Sequence, residues 1–239
     1  MKMNEPRMIN PEAEFLTAYQ HLDLLPKLVF VDPSYEFMVY AYIRGSTGHF
    51  YRNKKKVLRT LAAELINQYQ ASSIESWGWQ DAPVNSWAQF LSMEVHEATK
   101  ILTPFLKKEN LYAPAPLPLD SVQDRFSSKP YLIHGDCGIH NFIFQEDRLI
   151  GVIDPTPAFG FPHYDLIYAF FSSPVELTKD VLDSAISLLS SDLPDSKQLY
   201  EEVLIGLYQR MSLSVKHHPA DFPKYLEAWN YWREIIRKL

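Results

Sequence analysis

Between Tyr131 and Ile153 the chain carries three short runs of strand-forming residues: Tyr131-Leu132-Ile133, Phe142-Ile143-Phe144 and Leu149 to Ile153. Polar residues interrupt them at both joints. Patterns of helical period lie on either side of this strand-rich centre. Strands and helices are therefore segregated in blocks, which predicts an α+β architecture and argues against a regular βαβ repeat.

Upstream, Pro11 to Leu22 predicts a short amphipathic helix: Asn10 can cap it, Pro11 suits its first position, and Phe15, Leu16, Tyr19 and Leu22 fall on one face. Lys27 to Val31 and Phe37 to Ile43, separated by the turn-forming Asp32-Pro33-Ser34, read as a strand pair. Gly45 and Gly48 then loosen the chain. Two longer helices follow, Lys54 to Gln70 and about Ser86 to Lys107, and after them the Pro-rich connector Ala113 to Leu119. From Leu166 onward the pattern is helical again, around Pro174 to Ser190, Gln198 to Val215 and Pro223 to Lys238.

Composition narrows the class. At 239 residues and 46% hydrophobic content the chain can bury a real core, as one sizeable domain or two small lobes. No apolar run approaches the roughly 18 to 20 residues that cross a bilayer, and the N-terminal residues lack an apolar stretch of the signal-peptide kind. The single cysteine, Cys137, can form no internal disulfide. These features predict a cytoplasmic protein without a membrane partner. A net charge of −6 argues against nucleic acid and weakly favours cationic ligands.

The chemistry concentrates at the joints of the central strands, in His134-Gly135-Asp136-Cys137-Gly138-Ile139-His140-Asn141 and in Asp154. With Gln145 to Arg148 as the turn of a hairpin, Asn141 begins one strand and Asp154 ends its antiparallel partner, so the two side chains meet at one end. Asp136 sits on the loop entering the same hairpin. Few oxygen ligands with room left for phosphate and water suit magnesium better than a soft metal. Phosphoryl transfer needs cations bridging the phosphates and a carboxylate that receives the proton of the attacking hydroxyl. Asn141 and Asp154 can meet the first need and Asp136 the second.

The run His134-Gly135-Asp136-x-x-x-x-Asn141, followed by Ile153-Asp154 and Pro162-His163-Tyr164-Asp165-Leu166, resembles the catalytic core of the aminoglycoside phosphotransferase and choline kinase-like family. The resemblance implies a two-lobed protein kinase-like fold with a mainly helical C-lobe, and ATP (or GTP) with Mg2+ as cofactors. Its acceptor would be a small-molecule hydroxyl: an amino sugar, amino alcohol or sugar. It implies Asp136 as catalytic base, Asn141 and Asp154 as magnesium ligands, and Asp165 as a support behind the catalytic loop. More loosely, Phe37 to Gly45 resembles the last N-lobe strand and the hinge at about 40–44, where backbone groups of Tyr40, Ala41 and Tyr42 would bond adenine. Residues 1–44 would then form the N-lobe and 45–239 the C-lobe. Glu12, with Glu14 in reserve, matches the helix glutamate that pairs with the phosphate-binding lysine, for which Lys2 is the match.

No glycine precedes Gly45, so the glycine-rich phosphate loop of that family has no counterpart before the first helix. The expectation is a shortened N-lobe with few or no strands ahead of the Pro11 helix, and a cleft open on its upper side. Gly138 and His140 stand where many relatives carry His and Gly. The acidic residues Asp180, Asp183, Asp192, Asp195, Glu201 and Glu202 of the later helices are candidates for an acceptor wall. The alternatives are a kinase-like binding protein without transfer activity, and an interaction module docking through Trp77, Trp79, Trp229 and Trp232.

Overall fold

The computed structural model describes residues 1–47, 53–109, 111–117 and 129–239. Gly48 and the end of the Pro-rich connector, Pro118 and Leu119, lie outside them. The first strand, β1 (Lys2–Met3), leads into helix α1 (Pro6–Ala18). The helix starts a turn and a half earlier than its sequence pattern suggests. Pro6, not Pro11, takes the first position, after an extended Glu5, and Pro11 sits inside the helix while Asn10 caps nothing. A second proline is tolerated there because only one intrahelical N–H is lost, and Ile9, Phe15 and Leu16 on the buried face hold the turn against the sheet.

That sheet is β1-β3-β2, antiparallel, with β2 (Leu28–Val31) and β3 (Phe37–Tyr40) as the predicted pair and Lys2 opposite Met38. Helix α2 (Lys54–Glu64) is capped by Asn53 and ends in a tighter turn, Ile66–Gln68. Helix α3 (Trp87–Leu106) is capped by Ser86, whose side chain accepts from the Gln89 N–H.

The central region contains two small sheets. Strands β6 (Phe142–Gln145) and β7 (Arg148–Val152) form the predicted hairpin, with Phe142 opposite Val152 and a tight turn through Glu146 and Asp147. Strand β5 (Tyr131–Ile133) does not join them. It pairs with β8 (Ala158–Gly160), which also pairs with β4 (Gly78–Trp79). Neither β4 nor β8 shows as a strand in the sequence, because each is two or three residues long and carries no readable alternation.

Helices α4 (His163–Phe171), α5 (Lys179–Ile186), α6 (Ser196–His217) and α7 (Phe222–Ile236) complete the chain. Nearly every side chain of α4 is buried, as suits a helix surrounded by others. Helix α6 packs between α3 and α7. Trp229 and Trp232 are fully buried in this helical core, and Trp77 is nearly so. These three hold the fold together while Trp79 is half-buried, so the four tryptophans form no shared exposed face for docking. Among the described residues no helix is long and apolar enough to cross a membrane.

Candidate active site

The turn after β5 is fixed from behind. Asp165, fully buried in the first turn of α4, accepts the backbone N–H of His134 at 2.8 Å, that of Gly135 at 3.0 Å and the Tyr69 hydroxyl at 2.7 Å. Burial pushes its carboxyl up to about 7 even against these three donors. His134 is equally buried, with Nε2 3.1 Å from the Ile153 carbonyl, and burial drives its imidazole down to about 4. Gly135 adopts φ +78°, and a Cβ there would lie 2.0 Å from the Thr156 carbonyl oxygen; only glycine lets the two loops cross this closely.

Asp136 follows at the mouth of the turn. Burial alone would raise its carboxyl, but hydrogen bonds from His140 and Tyr168 outweigh that and leave it below the ordinary aspartate value. It is therefore an ionised acceptor at neutral pH.

Asn141 ends the turn Ile139–Asn141, just ahead of β6. Its Nδ2 donates to the Asp136 backbone oxygen at 2.9 Å, to Asp136 Oδ2 at 3.1 Å and to the Asp154 carbonyl at 3.4 Å, so Oδ1 remains to face a cation. Across the hairpin the Ile153 N–H donates to the Asn141 carbonyl at 2.9 Å, and Asp154 comes next, in the left-handed region at φ +54°. Such a conformation is uncommon outside glycine, and at a site it orients a side chain. Lys2 reaches this carboxylate from β1: Nζ is 3.1 Å from Asp154 Oδ1 and 2.6 Å from Glu12 Oε2. Burial would lower the Lys2 ammonium, yet its two carboxylate partners hold it above the ordinary lysine value.

The structure thus brings together Lys2, Glu12, Asp136, Asn141 and Asp154, all of which line one cleft of about 390 Å³. Tyr40, Ala41 and Tyr42 are not among its lining residues. The Ala41 N–H is already donated to the Lys27 carbonyl at 2.8 Å, and Tyr42 is exposed. Arg7, on the first turn of α1, does line the cleft and went unnoticed in the sequence. Among the described residues no cluster of three or more His, Cys, Asp or Glu could hold a metal ion. Asn141 Oδ1 with one carboxylate fits magnesium, which keeps several waters and shares its shell with phosphates.

A second cavity, of about 370 Å³, opens on the other side of Asp136. Glu94 and Glu97 from α3, Gln209 from α6 and Trp79 from β4 line it. Trp79 Nε1 donates to Glu94 Oε1 at 3.1 Å and Gln209 Nε2 to Oε2 at 3.0 Å; burial still keeps the Glu94 carboxyl above its ordinary value. The acidic residues expected to form an acceptor wall lie elsewhere. Glu202 is buried against His163 and Trp87, Asp183 is tied to Lys179 and Tyr200, and Asp180 pairs with Lys55.

The sequence model of the phosphotransferase enzyme family, APH, matches residues 56–195, more than half of the chain. The chain belongs to this family. Its fold is that of the protein kinase-like phosphotransferases. A candidate fructosamine-3-kinase from Haemophilus somnus 129PT superposes with a TM-score of 0.57 at 18% identity, over 97% of this chain and 82% of that one. A thermostable mutant of the aminoglycoside phosphotransferase APH(4)-Ia, in a ternary complex with AMP-PNP and hygromycin B, gives 0.56 at 15% identity, over 96% and 84%. Choline kinase from Cryptosporidium parvum Iowa II gives 0.55 at 11% identity, over 96% and 78%. At these identities the likeness establishes the fold. No curated protein sequence matches the chain.

Proposed function

We infer that this member of the phosphotransferase family moves the terminal phosphate of ATP (or GTP) to a hydroxyl of a small molecule. The observation that carries this reading is the place of Asp136, on the wall common to two cavities. The cleft with Lys2, Asn141 and Asp154 has the cations and oxygens that a nucleotide triphosphate requires. The cavity with Glu94 and Glu97 has room and polar groups for an acceptor. Asp136, ionised between them, takes the proton as the acceptor oxygen attacks phosphorus in line. Asn141 and Asp154 would hold magnesium, which when bound neutralises charge developing on the phosphates. Lys2, steadied by Glu12, would hold the phosphates from the other side. Residues 1–44 would act as the N-lobe and 45–239 as the C-lobe. The single cysteine, Cys137, is buried, in keeping with the reducing environment of the cytoplasm.

The acceptor is an alcohol that also carries an amine. Glu94 brings a carboxylate to its cavity, where Glu97 is already paired with Lys100 at 2.6 Å, and the aminoglycoside phosphotransferase fold bound to AMP-PNP and hygromycin B supports a nucleotide beside such an acceptor. Screening aminoglycosides, choline, sugars and homoserine for acceptor-dependent ADP release tests this. At least one amine-bearing alcohol should stimulate release, and Glu94→Gln should raise KM for that alcohol about tenfold while sparing KM for ATP. A thermal shift with ATP and magnesium, without release for any acceptor, would favour a binding protein. No response to nucleotide or metal would sink the reading.

A further inference from the structure

Gly138 and His140 belong together in space. His140 is the middle residue of the turn Ile139–Asn141, and its ring folds back so that Nε2 lies 3.1 Å from Asp136 Oδ2. The ring passes over Gly138. A Cβ at that position would stand 2.7 Å from His140 Cε1, 2.9 Å from His140 Nδ1 and 3.2 Å from Tyr168 Cε1. Gly138 has φ −108°, which any residue adopts, so glycine is required there for room and not for conformation.

The imidazole is also half exposed, with its side chain at 54% of full accessibility, so packing does little to hold it. What fixes it is the bond to Asp136. Asn141 Nδ2 donates to the same Oδ2 at 3.1 Å, so two N–H groups from one turn converge on that oxygen. The carboxylate oxygen that neither of them engages is Oδ1.

We propose that His140 is a positioning residue for phosphate transfer: its Nε2–H fixes the Asp136 carboxylate so that Oδ1 meets the acceptor, and Gly138 is the space that admits the ring. The proposal rests on Asp136 being the base. Asn141 and the Tyr168 hydroxyl also bond this carboxylate, so loss of His140 removes one of three holds on it, and misplacing a reacting group by about 1 Å can cost 100-fold.

Single and double variants, with one spectrum, test it. His140→Ala should lower kcat on the order of tenfold with KM for ATP unchanged. His140→Gln, which keeps a donor at the Nε2 position, should recover most of the loss. Gly138→Ala should mimic His140→Ala, and in the His140→Ala background it should cost little more, because the ring it displaces is gone. Wild-type kcat in His140→Ala, or equal losses in the Ala and Gln variants, overturns the proposal. By NMR, the His140 ring nitrogen and proton shifts should differ between wild type and Asp136→Ala, and Gly138→Ala should move them the same way. Identical shifts in wild type and Asp136→Ala overturn the proposal whether or not the protein transfers phosphate, and absence of turnover with the predicted shifts would count against the transfer reading alone.

Discussion

The two sides of the cleft shared by Lys2 and Asp154 are built in different ways. On the hairpin side, the turn bearing Asp136 is fastened to Asp165 by two buried backbone hydrogen bonds, Asp165 is itself held by the Tyr69 hydroxyl, and the Thr156 N–H donates to the His134 carbonyl at 3.0 Å. On the other side, Lys2 stands on a two-residue strand with two register partners, and its position depends on Glu12 and Asp154. One side is held by its own core. The other takes its order from the charges it faces, so loss of those charges should loosen it while loss of Asp165 should unmake the first side altogether.

Within the fastened side, the largest effect separates chemistry from binding. Asp136→Asn should reduce turnover about 100- to 10,000-fold while magnesium-nucleotide affinity stays near wild type, because the carboxylate serves the acceptor. Asp154→Ala should instead abolish the magnesium dependence of nucleotide binding, measured by calorimetry with and without the metal. Equal loss of nucleotide affinity in both variants would mean that the two roles are wrongly divided.

Exchanging the two kinds of support comes next in size. Asp165→Ala strips partners from two buried backbone N–H groups and from the Tyr69 hydroxyl, and should cost about 3 kcal/mol or more in urea unfolding. Lys2→Met leaves the buried Glu12 carboxylate without its donor, but Glu12, whose carboxyl burial lifts to about 7, can take up a proton, so the loss should be smaller, about 1 kcal/mol. ATP binding should weaken about tenfold, however, since a phosphate-facing charge is gone. A large stability loss for Lys2→Met, or a small one for Asp165→Ala, would erase the contrast between the two sides.

The fastened side was also the more legible in sequence. Asp136, Asn141 and Asp154 are joined by one hairpin, so their spacing along the chain nearly determines their spacing in space. Taking Gln145 to Arg148 as the turn pairs Phe144 with Leu149, but an irregularity between Ile143 and Phe144 then shifts the register by one and sets Phe142 opposite Val152. Lys2 and Glu12 meet at a helix whose start, Pro6, the sequence pattern does not mark, and family resemblance alone points to them. Glu94 and Gln209 were not legible at all. They lie on α3 and α6, far from the motif in sequence, and nothing in an amphipathic helix tells which of its polar residues will face a cavity made by other elements. For the same reason the acidic positions of the later helices could not be placed from sequence: Glu202 is buried against His163 and does not line the cavity that holds Glu94.

The smallest effect concerns pH and probes how the fastened side is balanced. His134 and Asp165 meet through the His134 backbone N–H, and both are fully buried, yet they shift in opposite senses. His134 falls to about 4 in the folded protein from an unfolded value near 6.5, because burial disfavours the imidazolium. The unfolded chain therefore binds a proton that the native state refuses, and stability is lost as pH falls from about 6.5 towards 4. Asp165 rises to about 7 from near 3.9, again by burial, so the native state binds the proton and stability is gained as pH falls through the same window. In the wild type the two opposing contributions largely cancel. His134→Gln should leave the Asp165 contribution uncovered, so that its stability between pH 7.5 and 5 rises by about 2 kcal/mol relative to wild type. Asp165→Asn should expose the His134 contribution and fall by a similar amount over the same interval. Urea unfolding at the two pH values measures the slopes independently of each variant's absolute stability. Parallel pH profiles for wild type and both variants would mean that neither group titrates in this window, and that the turn is fastened by hydrogen bonds of unchanging charge.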